Sequence, residues 1–167
     1  MRTIQDVRKV LNELDKISGF DSTGVEVVRS RQTKTLASFS FRLRPVVEPV
    51  QFKISKTVLC LNEENFREII KHEYAHFMAT VVHNENCYHD YRFIEMCKKI
   101  GASFTEPRVT NDDIQEVTKR LAKHRILCKC GFEQSFSRMC ETIRWAKKGY
   151  CKCPKCGNSE LQHIERK

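Results

Sequence analysis

No run of apolar residues in this 167-residue chain approaches the roughly 18 needed to cross a bilayer. A membrane span is therefore excluded. The first residues, Met1-Arg2-Thr3-Ile4-Gln5-Asp6, also lack the apolar stretch of a secretory signal. Glycine and proline are scarce, at 6 and 4, which argues against a low-complexity linker or a disordered tail. There is no acidic excess: 30 Lys and Arg face 21 Asp and Glu, for a formal charge of +9. An even cysteine count is missing too. Nine cysteines, in Cys-x-Cys and Cys-x-x-Cys spacings and without an export signal, favour thiolates holding metal in a reducing compartment over a disulfide framework.

What is present reads as a soluble α+β chain of about one domain with a small appendage. Ile4, Val7, Val10, Leu11 and Leu14 recur at three- and four-residue intervals, predicting a helix over 2–16 that can turn at Gly19. Three short strands follow, at 25–28, 36–43 and 50–54, with Pro45 and Pro49 bracketing the last turn; a small, mostly antiparallel sheet is expected. A longer helix over 62–81 is capped by Asn62 and anchored by Phe66, Ile69, Ile70, Phe77 and Val81. Another spans 89–100, with Phe93, Met96, Cys97 and Ile100 on its apolar stripe, and stops at Gly101. Thr110 and Asp113 form a capping box for a third helix, expected to reach about Arg125.

The long helix carries His72-Glu73-Tyr74-Ala75-His76. Four residues apart on a helix, His72 and His76 lie about 40° apart in azimuth and one turn along the axis, so both imidazoles can reach one cation. Glu73 falls beside that cation without ligating it, placed to take a proton from water. Zinc there would acidify water and polarise a scissile carbonyl, and Glu73 would pass the proton to the departing amine. A catalytic zinc needs a third protein ligand and an open position. His89 is favoured, since it begins the next helix after a loop long enough to fold back. His83 competes, and Glu95 is a further option whose plainer role is a solvated helix face. The Gly turn and third histidine of the longer metalloprotease signature would fall at 79 and 82, where Ala79 and Val82 stand.

Cys128-Lys129-Cys130-Gly131 and Cys153-Pro154-Lys155-Cys156-Gly157 make two metal-binding turns 22 residues apart. Four thiolates would close the coordination sphere of a structural zinc, supplying folding energy that so small a segment cannot draw from a core. Cys140 and Cys151 lie close enough in sequence to substitute in another register. Cys60, Cys87 and Cys97 read as ordinary buried thiols. Phe132, Phe136, Ile143, Trp145 and Tyr150 are expected to pack against the turns.

Charge divides the chain at about 117/118. Residues 1–117 carry 17 basic and 17 acidic side chains, whereas 118–167 carry 13 and 4. The whole excess therefore sits on the cysteine-bearing segment, as on a surface for a polyanion. Arg138, Arg144, Lys147 and Lys148, with Trp145 and Tyr150, combine cations with stacking platforms suited to single- or double-stranded DNA, or to RNA. If both aromatics are spent on the small core, they cannot stack on bases.

Together, Ile70-Lys71-His72-Glu73-Tyr74-Ala75-His76, His89 with Phe93, Gly101, Cys128-x-Cys130-Gly131, Arg138, and Tyr150 leading to Cys153-x-x-Cys156-Gly157 resemble the SprT-like family of zinc metallopeptidases, which includes the Spartan DNA–protein crosslink proteases. The resemblance implies a catalytic zinc on His72, His76 and His89, with Glu73 as catalytic carboxylate. It also implies a structural zinc in a ribbon on Cys128, Cys130, Cys153 and Cys156, making two Zn²⁺ per chain. The expected domains are a peptidase domain over 1–117 and a basic helix with zinc ribbon over 118–167. The expected function is a zinc endopeptidase acting on protein bound or crosslinked to DNA; the alternative is a nucleic-acid-binding or regulatory ribbon protein with little peptidase activity. A lean, monomeric, stand-alone protein is expected, cytoplasmic or nucleoid-associated in a bacterium and nuclear in a eukaryote. Two departures stand out: Asp90 where the family commonly has Gly after its third histidine, and Cys151 ahead of the last cysteine pair.

Overall fold

The computed structural model describes residues 1–30, 35–43, 45–105 and 109–166. It is an α+β protein of two compact units, Met1–Val109 and Thr110–Lys167. The division expected from charge, at 117/118, falls inside a helix of the second unit, because charge marks a surface and packing marks a unit.

In the first unit, helix α1 (Ile4–Ser18) starts where the Asp6 carboxylate accepts from both the Thr3 N–H and hydroxyl, and it ends at Gly19 in the left-handed region. Val7, Val10, Leu11 and Leu14 are buried, as their spacing predicts. Strands β1 (Glu26–Ser30), β2 (Ala37–Arg42) and β3 (Glu48–Ser55) form a sheet of order β1-β3-β2. The β2–β3 pair is antiparallel, but β1–β3 is parallel, so the sheet is mixed rather than mostly antiparallel. β3 takes the centre because Phe52 and Ile54 are its strongest burial groups, each 1% exposed. Pro49, expected in the preceding turn, lies within β3 opposite Phe41. The register shifts there between Ser40 and Phe41, and a residue without an N–H is tolerated at such a break.

Helix α2 (Glu63–His83) begins at Asn62, whose side chain accepts from the Asn65 N–H. Phe66, Ile69, Ile70 and Phe77 are buried as expected; Val81, in the last turn, is 40% exposed instead. Tyr74 ties this helix to α1: its hydroxyl donates to Asp15 at 2.7 Å and lies 2.8 Å from the Ser18 hydroxyl. Helix α3 (Tyr91–Ile100) buries Phe93, Cys97 and Ile100, and ends at Gly101.

The second unit opens with α4 (Asn111–Leu121), capped by Thr110 and Asp113. The expected extension to Arg125 does not form. His124, Ile126 and Cys128 alternate with less buried neighbours, a period-two pattern that makes strand β4 (His124–Cys128). β4 is the centre of an antiparallel sheet with β5 (Glu133–Phe136) and β6 (Leu161–Glu165), in order β5-β4-β6. Short helix α5 (Glu141–Lys147) buries Ile143 and Ala146 against Ile126, with Phe136, Met139, Cys140, Cys151 and Leu161 around them. No helix among the described residues is long and apolar enough to cross a membrane.

Candidate metal centre and its cleft

Helix α2 places His72 and His76 one turn apart, and the chain entering α3 brings His89 to them. The His89 Nε2 lies 3.1 Å from His72 Nε2 and 3.0 Å from His76 Nε2. One ring proton cannot serve two such contacts, so lone pairs converge on a common point. The separations approach the roughly 3.4 Å between neighbouring corners of a tetrahedron built on ordinary Zn–N bonds. Burial first, then the neighbouring His72 and His76–His89 repulsions, push the His76 imidazolium pKa down to about 3, keeping that ring neutral and its lone pair free. The three histidines therefore fit a divalent cation, and zinc suits an imidazole set. His83, the competitor, is not in this cluster, and Glu95 is exposed on α3.

In the sequence Phe93 stood on the apolar stripe of its helix and, with His89, among the residues of the family resemblance, but its contact with all three histidines was not read there. Its ring, fully buried, lies 4.3 Å from the His76 ring centroid, 5.0 Å from that of His72 and 4.8 Å from that of His89. One aromatic floor thus fixes all three imidazoles. His89 precedes α3, so helical spacing alone did not announce the contact; the Asp90 cap between the two residues sets it up.

Glu73 faces the edge of the sheet. Its Oε2 accepts from the Phe39 N–H at 2.8 Å, a contact across 34 residues that sequence reasoning missed. Burial raises its pKa to about 7, partly offset by that hydrogen bond. A carboxyl poised near neutrality can both take and return a proton. Around these groups lies an open cleft of about 380 Å³, walled by β2 through Ala37, Ser38, Phe39 and Phe41, and by Asn86 and Tyr88 of the α2–α3 loop.

That loop is held despite the absence of the expected glycine. Asp90 is the N-cap of α3, accepting from the Arg92 and Phe93 N–H groups at 2.9 and 3.4 Å. The Arg92 guanidinium grips the same carboxylate at 2.9 and 2.6 Å and reaches Glu85 as well. Asp90 therefore secures His89 by capping and charge rather than by backbone freedom.

In the second unit, the β4–β5 turn brings Cys128 and Cys130 to Cys153 and Cys156. The Cys128–Cys156 and Cys130–Cys153 sulfurs are 3.5 and 3.6 Å apart. A tetrahedron on ordinary Zn–S bonds has edges of about 3.8 Å. Gly131 and Gly157, at φ +84° and +75°, close the two turns behind the second cysteine of each pair. The Cys130 N–H donates to the Cys128 sulfur, and those of Lys155 and Cys156 to that of Cys153. Burial opposes ionisation of Cys153, yet these amides and the adjoining thiols bring it down to about 7. Cys128 and Cys156 shift upward beside the neighbouring thiols, so the amides alone do not ionise all four; the four-sulfur geometry is what fits a structural zinc. Cys140 and Cys151 lie instead in the small core, Cys151 donating to the Thr142 carbonyl at 3.7 Å.

Arg138, Arg144, Lys147 and Lys148 are exposed. Trp145 and Tyr150, expected against the turns, are 49% and 76% exposed, because Ile143 and Ala146 take the buried face of α5. Both rings thus remain available for stacking.

Three imidazoles and a buried carboxylate in one cleft, on an α+β framework, are the equipment of a metal-dependent peptidase. The chain belongs to the SprT-like family, whose model matches residues 7–115, and this membership supports a metallopeptidase in kind. Among solved structures the chain is similar to the metallopeptidase zymogen of Pyrococcus abyssi abylysin, at 20% identity over 68% of this chain and 90% of that one, with a TM-score of 0.42. No curated protein matches.

Proposed function

We propose that the protein is a zinc endopeptidase of the HExxH type, with zinc on His72, His76 and His89, and a second, structural zinc on Cys128, Cys130, Cys153 and Cys156. The observation that carries this reading is the convergence of three histidine nitrogens beside a carboxyl held near neutrality. Zinc bound there would supply Lewis acidity, polarising the scissile carbonyl and acidifying water. Glu73, aimed by the Phe39 N–H, takes the proton of the attacking water and delivers it to the leaving amine. β2 is an edge strand; of its N–H groups that turn away from β3, that of Phe39 is taken by Glu73 and that of Ala37 is left for a substrate backbone. An extended substrate backbone can lie along that edge, so accessible or unfolded protein is the substrate class.

The second unit supports a DNA partner through Arg138, Arg144, Lys147 and Lys148, with Trp145 and Tyr150 exposed beside them. Protein bound or crosslinked to DNA is then the favoured substrate. The test is hydrolysis of an unfolded protein, free and DNA-crosslinked, by zinc-loaded protein. Cleavage of both, faster when DNA is attached, is expected. Cleavage of neither, with two zincs bound, would leave a nucleic-acid-binding ribbon protein as the better reading.

A further inference from the structure

Tyr88 occupies a left-handed backbone position, φ +44°, where a bulky side chain carries a steric cost. The same loop shows that this sequence supplies asparagine where such a conformation is needed: Asn84 has φ +55°. At residue 88 it does not. Nor does packing account for the tyrosine, whose side chain is 74% exposed. What it does is line the cleft, on the loop wall, while Phe41 stands on the β2 wall, its ring stacked at 5.7 Å on that of Phe39. Among the described residues, the ionisable groups lining the cleft are, apart from Tyr88 itself, the three histidines and Glu73. A charged substrate side chain would shed hydration there without gaining a free partner, whereas an apolar one would gain ring contact.

We propose that Tyr88 and Phe41 form a side-chain subsite that selects an apolar or aromatic residue of the extended polypeptide beside the bond being cleaved. This rests on the peptidase reading and adds the substrate preference to it. Tyr88 is kept in an unfavourable conformation because its ring selects substrate.

The test digests an unfolded, sequence-diverse protein with zinc-loaded full-length wild type, Tyr88→Asn and Tyr88→Phe, and maps every cleaved bond by mass spectrometry. Wild type is expected to favour bonds flanked by apolar or aromatic residues over those flanked by Asp or Lys. Tyr88→Asn should shrink that preference about tenfold, the worth of one good apolar contact, while melting no lower than wild type. Tyr88→Phe should keep it. Cleavage with an unchanged preference in Tyr88→Asn would overturn the subsite while sparing the peptidase reading. So would a lowered melting temperature in that variant, which would make the ring a packing group, or an equal loss in Tyr88→Phe, which would assign the effect to the hydroxyl. No cleavage by wild type would overturn both readings.

Discussion

Glu73 is the residue on which the proposed chemistry turns, and its surroundings predict two separable effects. Glu73→Gln keeps the side-chain oxygen that accepts from Phe39 but cannot take a proton. Steady-state hydrolysis should fall by about 10²–10⁴-fold while zinc content is unchanged. The second effect appears in metal-free protein. A carboxyl raised from 4.5 to about 7 binds more protons folded than unfolded across that interval, so its contribution to stability falls as pH rises. His76, lowered to about 3, acts in the opposite direction between pH 3 and 6.5. Comparing Glu73→Gln with wild type cancels His76 and all other groups. Their difference in unfolding free energy should grow in favour of the variant by about 3 kcal/mol between pH 4.5 and 7, as denaturant titrations would show. At this scale the sequence was most legible where helix geometry alone decides: His72, Glu73 and His76 needed only their spacing. His89 needed a loop of the right length. The Phe39 amide and the exposure of Trp145 and Tyr150 could not be read, since both depend on which residues a fold places together.

Among elements, edge strand β2 and helix α2 carry the account. In Ala37→Pro the lost N–H is one that faces away from β3, so the ladder survives. Its kcat/KM on extended peptides should drop several-fold with little change in melting temperature; a peptide that does not use this edge would be cleaved at the wild-type rate. Tyr74→Phe removes the buried hydroxyl that joins α2 to Asp15 and Ser18 of α1, and should destabilise the protein by about 1–3 kcal/mol in chemical denaturation. Helices α1 to α3 were legible because their apolar positions repeat with period 3.6, and the start of α4 from its capping box; α5, seven residues long, was not foreseen. The parallel β1–β3 pairing was not, because periodicity says which face of a strand is buried but not which neighbour it takes. The helix was expected to run to about Arg125, over the start of β4, because capping residues mark where α4 starts and nothing comparable marks where it stops.

For the molecule as a whole, the two proposed zincs, one on each unit, should differ in lability. A closed four-thiolate set should resist mild chelation, whereas the open histidine set should lose zinc first, with activity lost in parallel. The charge division seen in the sequence survives as the exposed cations of the second unit. If the four named cations meet phosphates of single-stranded DNA, log affinity should fall against log salt with a slope of about −3. Reversing Arg144, Lys147 and Lys148 to glutamate should flatten that slope and weaken binding. The most direct test of the central claim puts metal analysis and hydrolysis on the same samples of wild type, His89→Ala and Glu73→Gln. Wild type should hold two zincs and cleave unfolded protein, His89→Ala should hold one zinc and cleave nothing, and Glu73→Gln should hold two zincs without cleaving. Undiminished cleavage by Glu73→Gln, or two zincs retained by His89→Ala, would contradict that claim.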